Sequence, residues 1–293
     1  MTFAALFAAV SIAFPPEGAE LPYLKRCYVM GAADGGEEVV RLRGCEVAVG
    51  KTGAWATVVD VKPGTNVVEV GGVRRFFTIA PIAPIAPKKT YTKLEYAADS
   101  AKPHPTGKKP AEITVVIDAG HGGHDTGAMS PHGLPEKDAN LRLAKEVRDE
   151  LRKRGYKIVM TREDDTFVEL YDRPKVAPVA NADLFVSIHH NAPGYASNPF
   201  AIRSQSVYAW NALGERLAKA INGRMATADP TLKNDGVLHA NFAVTRNPEI
   251  PSCLIEADFI THPDGECAAW DFSRRPVIAA AIADGIADWV AGK

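Results

Sequence analysis

Two histidines and two glutamates, His121, Glu136, His189 and Glu256, stand in sequence contexts that would gather them around one metal ion. Two imidazoles and one carboxylate fill three tetrahedral positions on zinc, and an open fourth position marks a catalytic rather than a structural site. The remaining carboxylate then has a task. A water on such a zinc has its pKa lowered to about 7, and a nearby glutamate can take its proton as the water attacks a carbonyl carbon. Handing that proton on to a leaving amine completes an amide hydrolysis.

Each of the four lies at the end of a regular element, where open α/β sheets gather their chemistry. The apolar, β-branched run from Ile113 to Asp118 stops at Ala119-Gly120-His121-Gly122-Gly123, where the glycines let the backbone wrap closely around an ion. Glu136 opens a stretch in which Leu141, Ala144, Val147 and Leu151 recur at helical spacing, so it sits in a first helical turn. An acid there also complements the helix dipole. His189 follows Leu184-Phe185-Val186-Ser187-Ile188, and Glu256 closes Cys253-Leu254-Ile255. Neighbours on a strand point opposite ways, so His190 is expected to face away from His189.

Four segments occur in order and at characteristic spacing: 117–123, Gly133-Leu134-Pro135-Glu136-Lys137-Asp138-Ala139-Asn140-Leu141, Ser187-Ile188-His189-His190-Asn191 and Leu254-Ile255-Glu256-Ala257-Asp258-Phe259. With them, residues 112–292 resemble the zinc-dependent N-acetylmuramoyl-L-alanine amidases of the family 3 type. The resemblance implies that His121, Glu136 and His189 bind one Zn2+ and that Glu256 is the catalytic carboxylate. It also implies a cell-wall hydrolase: the substrate would be peptidoglycan, cut between N-acetylmuramic acid and L-alanine during wall remodelling or daughter-cell separation. Ala119 and Thr126 replace prolines usual in the family, and Thr261-His262 replaces a favoured Ser-Asn pair at the outer wall of the site. Some relatives carry a long helical insertion that covers the site until a partner protein withdraws it. Here Trp210 passes almost directly into the helical stretch from Leu213, so an activator protein is not expected.

Around this set, Asp118 is expected to accept a hydrogen bond from a metal-bound imidazole, and Asn191 to support the site beside His189. His124 and His132 read as solvated loop residues. His104 and His239 lack supporting context, and His262 could reach the site's outer wall.

The rest of the chain must suit such an enzyme. At 293 residues it has room for two domains, and a formal net charge of −1 gives no electrostatic case for nucleic acid. Residues 15–80 contain short strand-like runs broken by glycine turns and read as a small all-β sandwich, loosely similar to Ig-like modules through Gly53-Ala54-Trp55 and Pro63-Gly64-Thr65-Asn66. A linker rich in proline, alanine and lysine follows over 81–111. Residues 1–14 form an apolar segment that is either signal-like or the first strand of the β unit, and too short to span a bilayer. Cys27 and Cys45 could bridge the β unit in an exported protein, while Cys253 should pack within its strand. Export to the periplasm or cell envelope follows mainly from the implied substrate.

The fold expected for 112–292 is α/β, an open, mostly parallel sheet with helices on both faces. Strands are expected at 113–118, 157–161, 184–188, 206–210 and 252–256, and helices at 136–154, 211–226 and 276–290. Two other functions fit the same residues: a zinc peptidase acting within stem peptides, and a non-catalytic wall-binding protein. Retention of Glu256 argues against the second.

Overall fold

A computed structural model describes residues 10–81, 107–247 and 249–293. Most of the expected linker therefore lies outside the described residues, as does the apolar segment before residue 10.

The larger part is built on a six-stranded sheet. In chain order its strands are β8 (Thr114–Ala119), β9 (Lys157–Met160), β10 (Leu184–Asn191), β11 (Gln205–Ala209), β12 (Asn234–His239) and β13 (Ser252–Phe259), arranged β12-β11-β13-β10-β8-β9. Only the β11–β13 pairing is antiparallel. The helices are α1 (Glu136–Lys153), α2 (Val176–Val179), α3 (Ala212–Ala228), α4 (Pro263–Trp270) and α5 (Arg274–Val290). Every strand and helix expected from the sequence is present, with ends displaced by a few residues. The sequence reading passed over β12 and α4. β12 is a half-polar edge strand with little to bury, and α4 is short, with small residues where an amphipathic pattern would show.

Helices cover the two faces unequally. Leu143, Val147 and Leu151 of α1, Leu217, Ile221 and Met225 of α3 and Ile278, Ile282 and Ile286 of α5 pack in one core against Val115, Ile117, Val186, Ile188, Cys253 and Ile255. The other face carries Val116, Phe185 and Leu254, covered by the single turn of α2 and by Val244 and Ile250 from loops. Alternate residues of one strand thus meet a thick helical layer and a thin loop layer. Cys253 is buried in the helical core, as expected.

The N-terminal part is all-β. β1 (Ala19–Leu21), β3 (Val39–Leu42), β4 (Cys45–Ala48), β6 (Gly64–Val70) and β7 (Val73–Ile79) form a sheet of order β1-β7-β6-β3-β4. The ribbon of β2 (Arg26–Ala32) and β5 (Ala54–Asp60) shares its core, where Met30 and Trp55 meet Val68, Phe77 and Ile79. Two expectations are corrected. The unit does not begin at residue 15: Val10 and Phe14 bridge to Ala33 and Met30, and Ile12 and Phe14 are buried in the core, as a first strand would be. Cys27 and Cys45 do not pair, because Cys27 is sealed inside the ribbon while Cys45 is exposed on the other sheet.

This β unit packs directly on the larger part. The Tyr28 amide donates to the Tyr195 carbonyl at 2.7 Å, and the Phe14 and Tyr195 rings stack with centroids 5.7 Å apart. Met129 and Phe200 join the β unit's own core.

Candidate active site

β8 delivers the chain to a turn in which His121 has φ of 60°, a left-handed conformation that costs a non-glycine residue of order 1–3 kcal/mol. Two buried arginines hold it there. Arg173 donates to the carbonyls of Ala119 and His121, both at 2.9 Å, and to Asp118 Oδ1 at 2.9 Å. Arg162 donates to the carbonyls of Ala119 and Gly120, both at 2.9 Å. Carbonyls that a turn leaves unpaired are thereby satisfied, and the imidazole is aimed.

The sheet places the next residues. β10 and β13 run side by side with His189 opposite Glu256, so both project from the thinly covered face as neighbours. Glu136 reaches the same point from the first turn of α1. One ligand atom each from His121, Glu136 and His189 lies within 4.8 Å of the other two.

Glu136 is the centre of this group. Its Oε1 accepts from the His190 amide (3.2 Å) and Asn140 Nδ2 (3.0 Å) and faces His189 Nδ1 at 3.0 Å. Its Oε2 accepts from the Ala128 amide at 2.9 Å and faces His121 Nε2 at 3.3 Å. Burial would raise its pKa, but the hydrogen bonds to the two imidazoles outweigh that and hold the carboxyl well below the usual range. Burial pulls His121 down in turn, yet its hydrogen bonds to Asp125 and Glu136 win and push it up to about 10.

These donors fit a metal. Three convergent ligands, two nitrogens and one carboxylate, suit zinc rather than an all-oxygen cation such as calcium or magnesium. Two glycines make room for them. A Cβ on Gly120 would lie 2.3 Å from His189 Nε2, and one on Gly127 only 2.6 Å from both Glu136 Oε2 and His121 Cδ2. Asp125 Oδ2 lies 2.8 Å from His121 Nδ1, fixing the ring so that Nε2 points at the convergence.

Glu256 contributes no atom to this triad. It lines the adjoining cleft of about 520 Å³, and its buried Oε2 has no hydrogen-bond partner among the described residues. Burial, reinforced by the charge of Glu136 and only partly opposed by His121, raises its pKa well above the usual carboxylate range. A buried carboxyl oxygen without a partner beside a cleft is a perturbed group of the kind that clusters at functional sites.

The remaining expectations fare differently. Asp118 touches neither imidazole. Its carboxylate binds Arg173, Thr161 Oγ1 at 2.6 Å and Ser187 Oγ at 2.6 Å, so it acts on His121 only through the arginine that grips the turn. The residue that does pair with one of the two convergent imidazoles from outside the triad is Asp125, four places after His121 in the same loop. Asn191 caps the next amide, Ala192, and reaches Tyr208, not a ligand. His190 points to the opposite face and binds Asn140 Oδ1 at 2.8 Å, as strand alternation requires. His124 is an exposed loop residue, as expected, beside the Phe167 ring, whereas His132, also at the surface, links Glu266 Oε2 (2.7 Å) to the Thr52 carbonyl of the β unit (3.0 Å). His262 caps α4. Arg162 and Arg173 lie in no motif; Asn140 lies within the segment around Glu136 and stands four residues after it, where a helix puts neighbours on one face.

Known proteins resemble this chain in sequence and fold. N-acetylmuramoyl-L-alanine amidase AmiA of Escherichia coli is 35% identical over 225 residues, covering 61% of this chain and 76% of its own. The probable cell wall amidase LytH of Staphylococcus aureus is 30% identical over 249 residues, covering 82% of this chain and 80% of its own. Among solved structures, N-acetylmuramoyl-L-alanine amidase AmiC2 of Nostoc punctiforme superposes with a TM-score of 0.58 at 36% identity, over 61% of this chain and 97% of that one. A family model described as N-acetylmuramoyl-L-alanine amidase matches residues 115–288, which span β8 to α5 and contain all four residues of the site, and on these grounds the chain belongs to the N-acetylmuramoyl-L-alanine amidase family.

Proposed function

We propose that this protein is a zinc-dependent amidase that cleaves peptidoglycan between N-acetylmuramic acid and the L-alanine of the stem peptide. The observation that carries the reading is the convergence of His121, Glu136 and His189, with Glu256 set beside His189 by strand register yet outside the triad. When bound, zinc supplies a Lewis acid for the scissile carbonyl and lowers the pKa of a water to about 7.

The chain's own groups do the rest. Asp125 and the arginine-held turn keep His121 aimed, and Asn140 and the His190 amide fix Glu136. Burial first, and then the negative charge of Glu136, raises the pKa of Glu256, and a cation held by the three convergent side chains would oppose the second of these. Glu256 accepts the proton of the attacking water. As the C–N bond breaks, the same proton passes to the leaving nitrogen of L-alanine, and a carboxylic acid remains on the lactyl side.

The connection from Ala209 to Ala212 consists of Trp210 and Asn211, which supports a cleft that opens without a separate activator protein. Names of the relatives support action at the cell wall, and so export to the periplasm or envelope. Among the described residues no helix is long and apolar enough to cross a membrane. The packed boundary between the β unit and the catalytic part supports a supporting or docking role for that unit.

Mass analysis of fragments after digestion of intact wall tests the reading. Free lactyl carboxyls with peptides beginning at L-alanine are expected. Peptides cut internally would identify a zinc peptidase instead, and no released fragment would leave a wall-binding protein.

A further inference from the structure

Beyond the cleft lies a second cavity of about 450 Å³, lined by Pro174, Lys175, Ala177, Asn247 and Glu249 among others. Tyr171, Ala243 and Arg246 belong to the walls of both. The Arg246 guanidinium carbon lies 5.9 Å from the Tyr171 ring centre, and Nε donates to the Phe242 carbonyl at 3.3 Å. This fixes the plane of the guanidinium without using its terminal nitrogens.

Charge distinguishes this wall. Of the cations lining the two cavities, Arg173 is bound to Asp118 and to backbone carbonyls, and Lys175 is paired with Asp172 at 2.6 Å. Arg246 has no carboxylate partner among the described residues. The cleft walls carry Asp125, Glu169 and Glu256 together with His121, Arg173 and His189, and Asp125 is already paired with His121. A ligand carboxylate that reaches the boundary with the second cavity therefore meets in Arg246 a guanidinium whose charge no carboxylate among the described residues already engages.

Resting on the amidase reading above, we propose that Arg246, braced by Tyr171, is a specificity-determining residue that binds the free α-carboxylate of the stem peptide's second residue, a γ-linked D-glutamate. The N-acetylated glycan is neutral, so of the two arms flanking the scissile amide only the peptide carries carboxylates. The stem then runs from the cleft over Arg246 into the second cavity.

The test compares muramyl peptides that differ only at that group, one with free α-carboxylate and one with its amide, as substrates for the zinc-loaded full chain. The wild type should favour the carboxylate form by about tenfold in kcat/KM, carried mainly by KM, as expected for a charge-assisted contact. Arg246→Gln should bring the ratio close to one, and Arg246→Lys should restore part of it. The ratio is read within each protein, so a loss of folded fraction cancels. Equal cleavage of both substrates by the wild type, or an unchanged ratio in Arg246→Gln, overturns the proposal and leaves the amidase reading standing. Cleavage of neither by the wild type overturns that reading and this one with it.

Discussion

The two faces of the central sheet are made by the same strands and could hardly be less alike. On β13, Ile255 is buried against helices while Glu256 lines the cleft; on β10, Ile188 joins the helical core while His189 converges with His121 and Glu136. On β8, Ile117 packs in that core while Asp118 holds a buried arginine. One face is dry and aliphatic, and the other holds hydrogen-bonded charges under a thin cover. Because side chains alternate along a strand, a rigid apolar layer fixes the positions of polar groups one residue away. Changing the polar face should chiefly alter chemistry, and changing the apolar face should chiefly alter stability.

The largest expected effect follows from Glu256→Gln. Turnover of peptidoglycan should fall by about 10²- to 10⁴-fold, the range for losing a general acid–base group, while the melting temperature stays or rises because an unpartnered buried oxygen no longer titrates. A comparable loss of stability with modest loss of rate would mean that Glu256 is structural, and the contrast between the faces would fail.

Next come substitutions of stability. Asp118→Ala leaves the Arg173 guanidinium buried without its carboxylate, which costs about 3–5 kcal/mol for a broken buried pair. Ile255→Ala on the opposite face should cost about 2–5 kcal/mol by cavity formation. Denaturant titration measures both. They should part in the folded state below melting, where Ile255→Ala keeps near-normal turnover per folded molecule and Asp118→Ala does not, since its arginine grips the His121 turn. Equal residual activities would show that the network under the site is only packing.

The smallest effect is a pH dependence of the metal-free protein. His121 is raised by its partners to about 10 from an ordinary value near 6.5, so its contribution to stability is complete below about 6.5 and is lost as pH rises through about 10. The raised pKa of Glu256 acts with the same sign from the carboxylate range upward. Melting temperature in chelator should therefore fall across that window. With metal bound, His121 must be neutral, and the decline should flatten while metal uptake releases protons. A metal-free melting temperature that rises toward pH 10 would contradict the assigned contacts.

The four central residues were legible because His121 follows a strand in a glycine-marked turn, Glu136 opens a helix, and His189 and Glu256 stand in short apolar strand runs, although both strands continue past them by two or three residues. The alternation that turns His190 away was legible for the same reason. What holds them was not. Arg162 and Arg173 act through backbone carbonyls some 40 to 55 residues distant, and no local pattern marks such a partner. Asp118 looked like an imidazole acceptor because it stands near His121 in sequence, yet it projects from the strand and meets an arginine. Asp125 stood in view, four residues after His121, in a loop whose path depends on left-handed turns. His132 and Tyr195 meet the β unit across more than 70 and 160 residues, contacts that neither composition nor periodicity encodes. Whether Cys27 and Cys45 could bridge stayed open in the sequence because spacing does not reveal which sheet a strand joins, and both are free.

The division of four residues into three ligands and one base is tested most directly by zinc titration of chelator-treated protein, read by calorimetry and metal analysis on the wild type, Glu136→Ala and Glu256→Gln. One tightly bound ion in the wild type and in Glu256→Gln, with binding lost or greatly weakened in Glu136→Ala, is the predicted result. Undiminished binding by Glu136→Ala, or loss of the ion from Glu256→Gln, would contradict it.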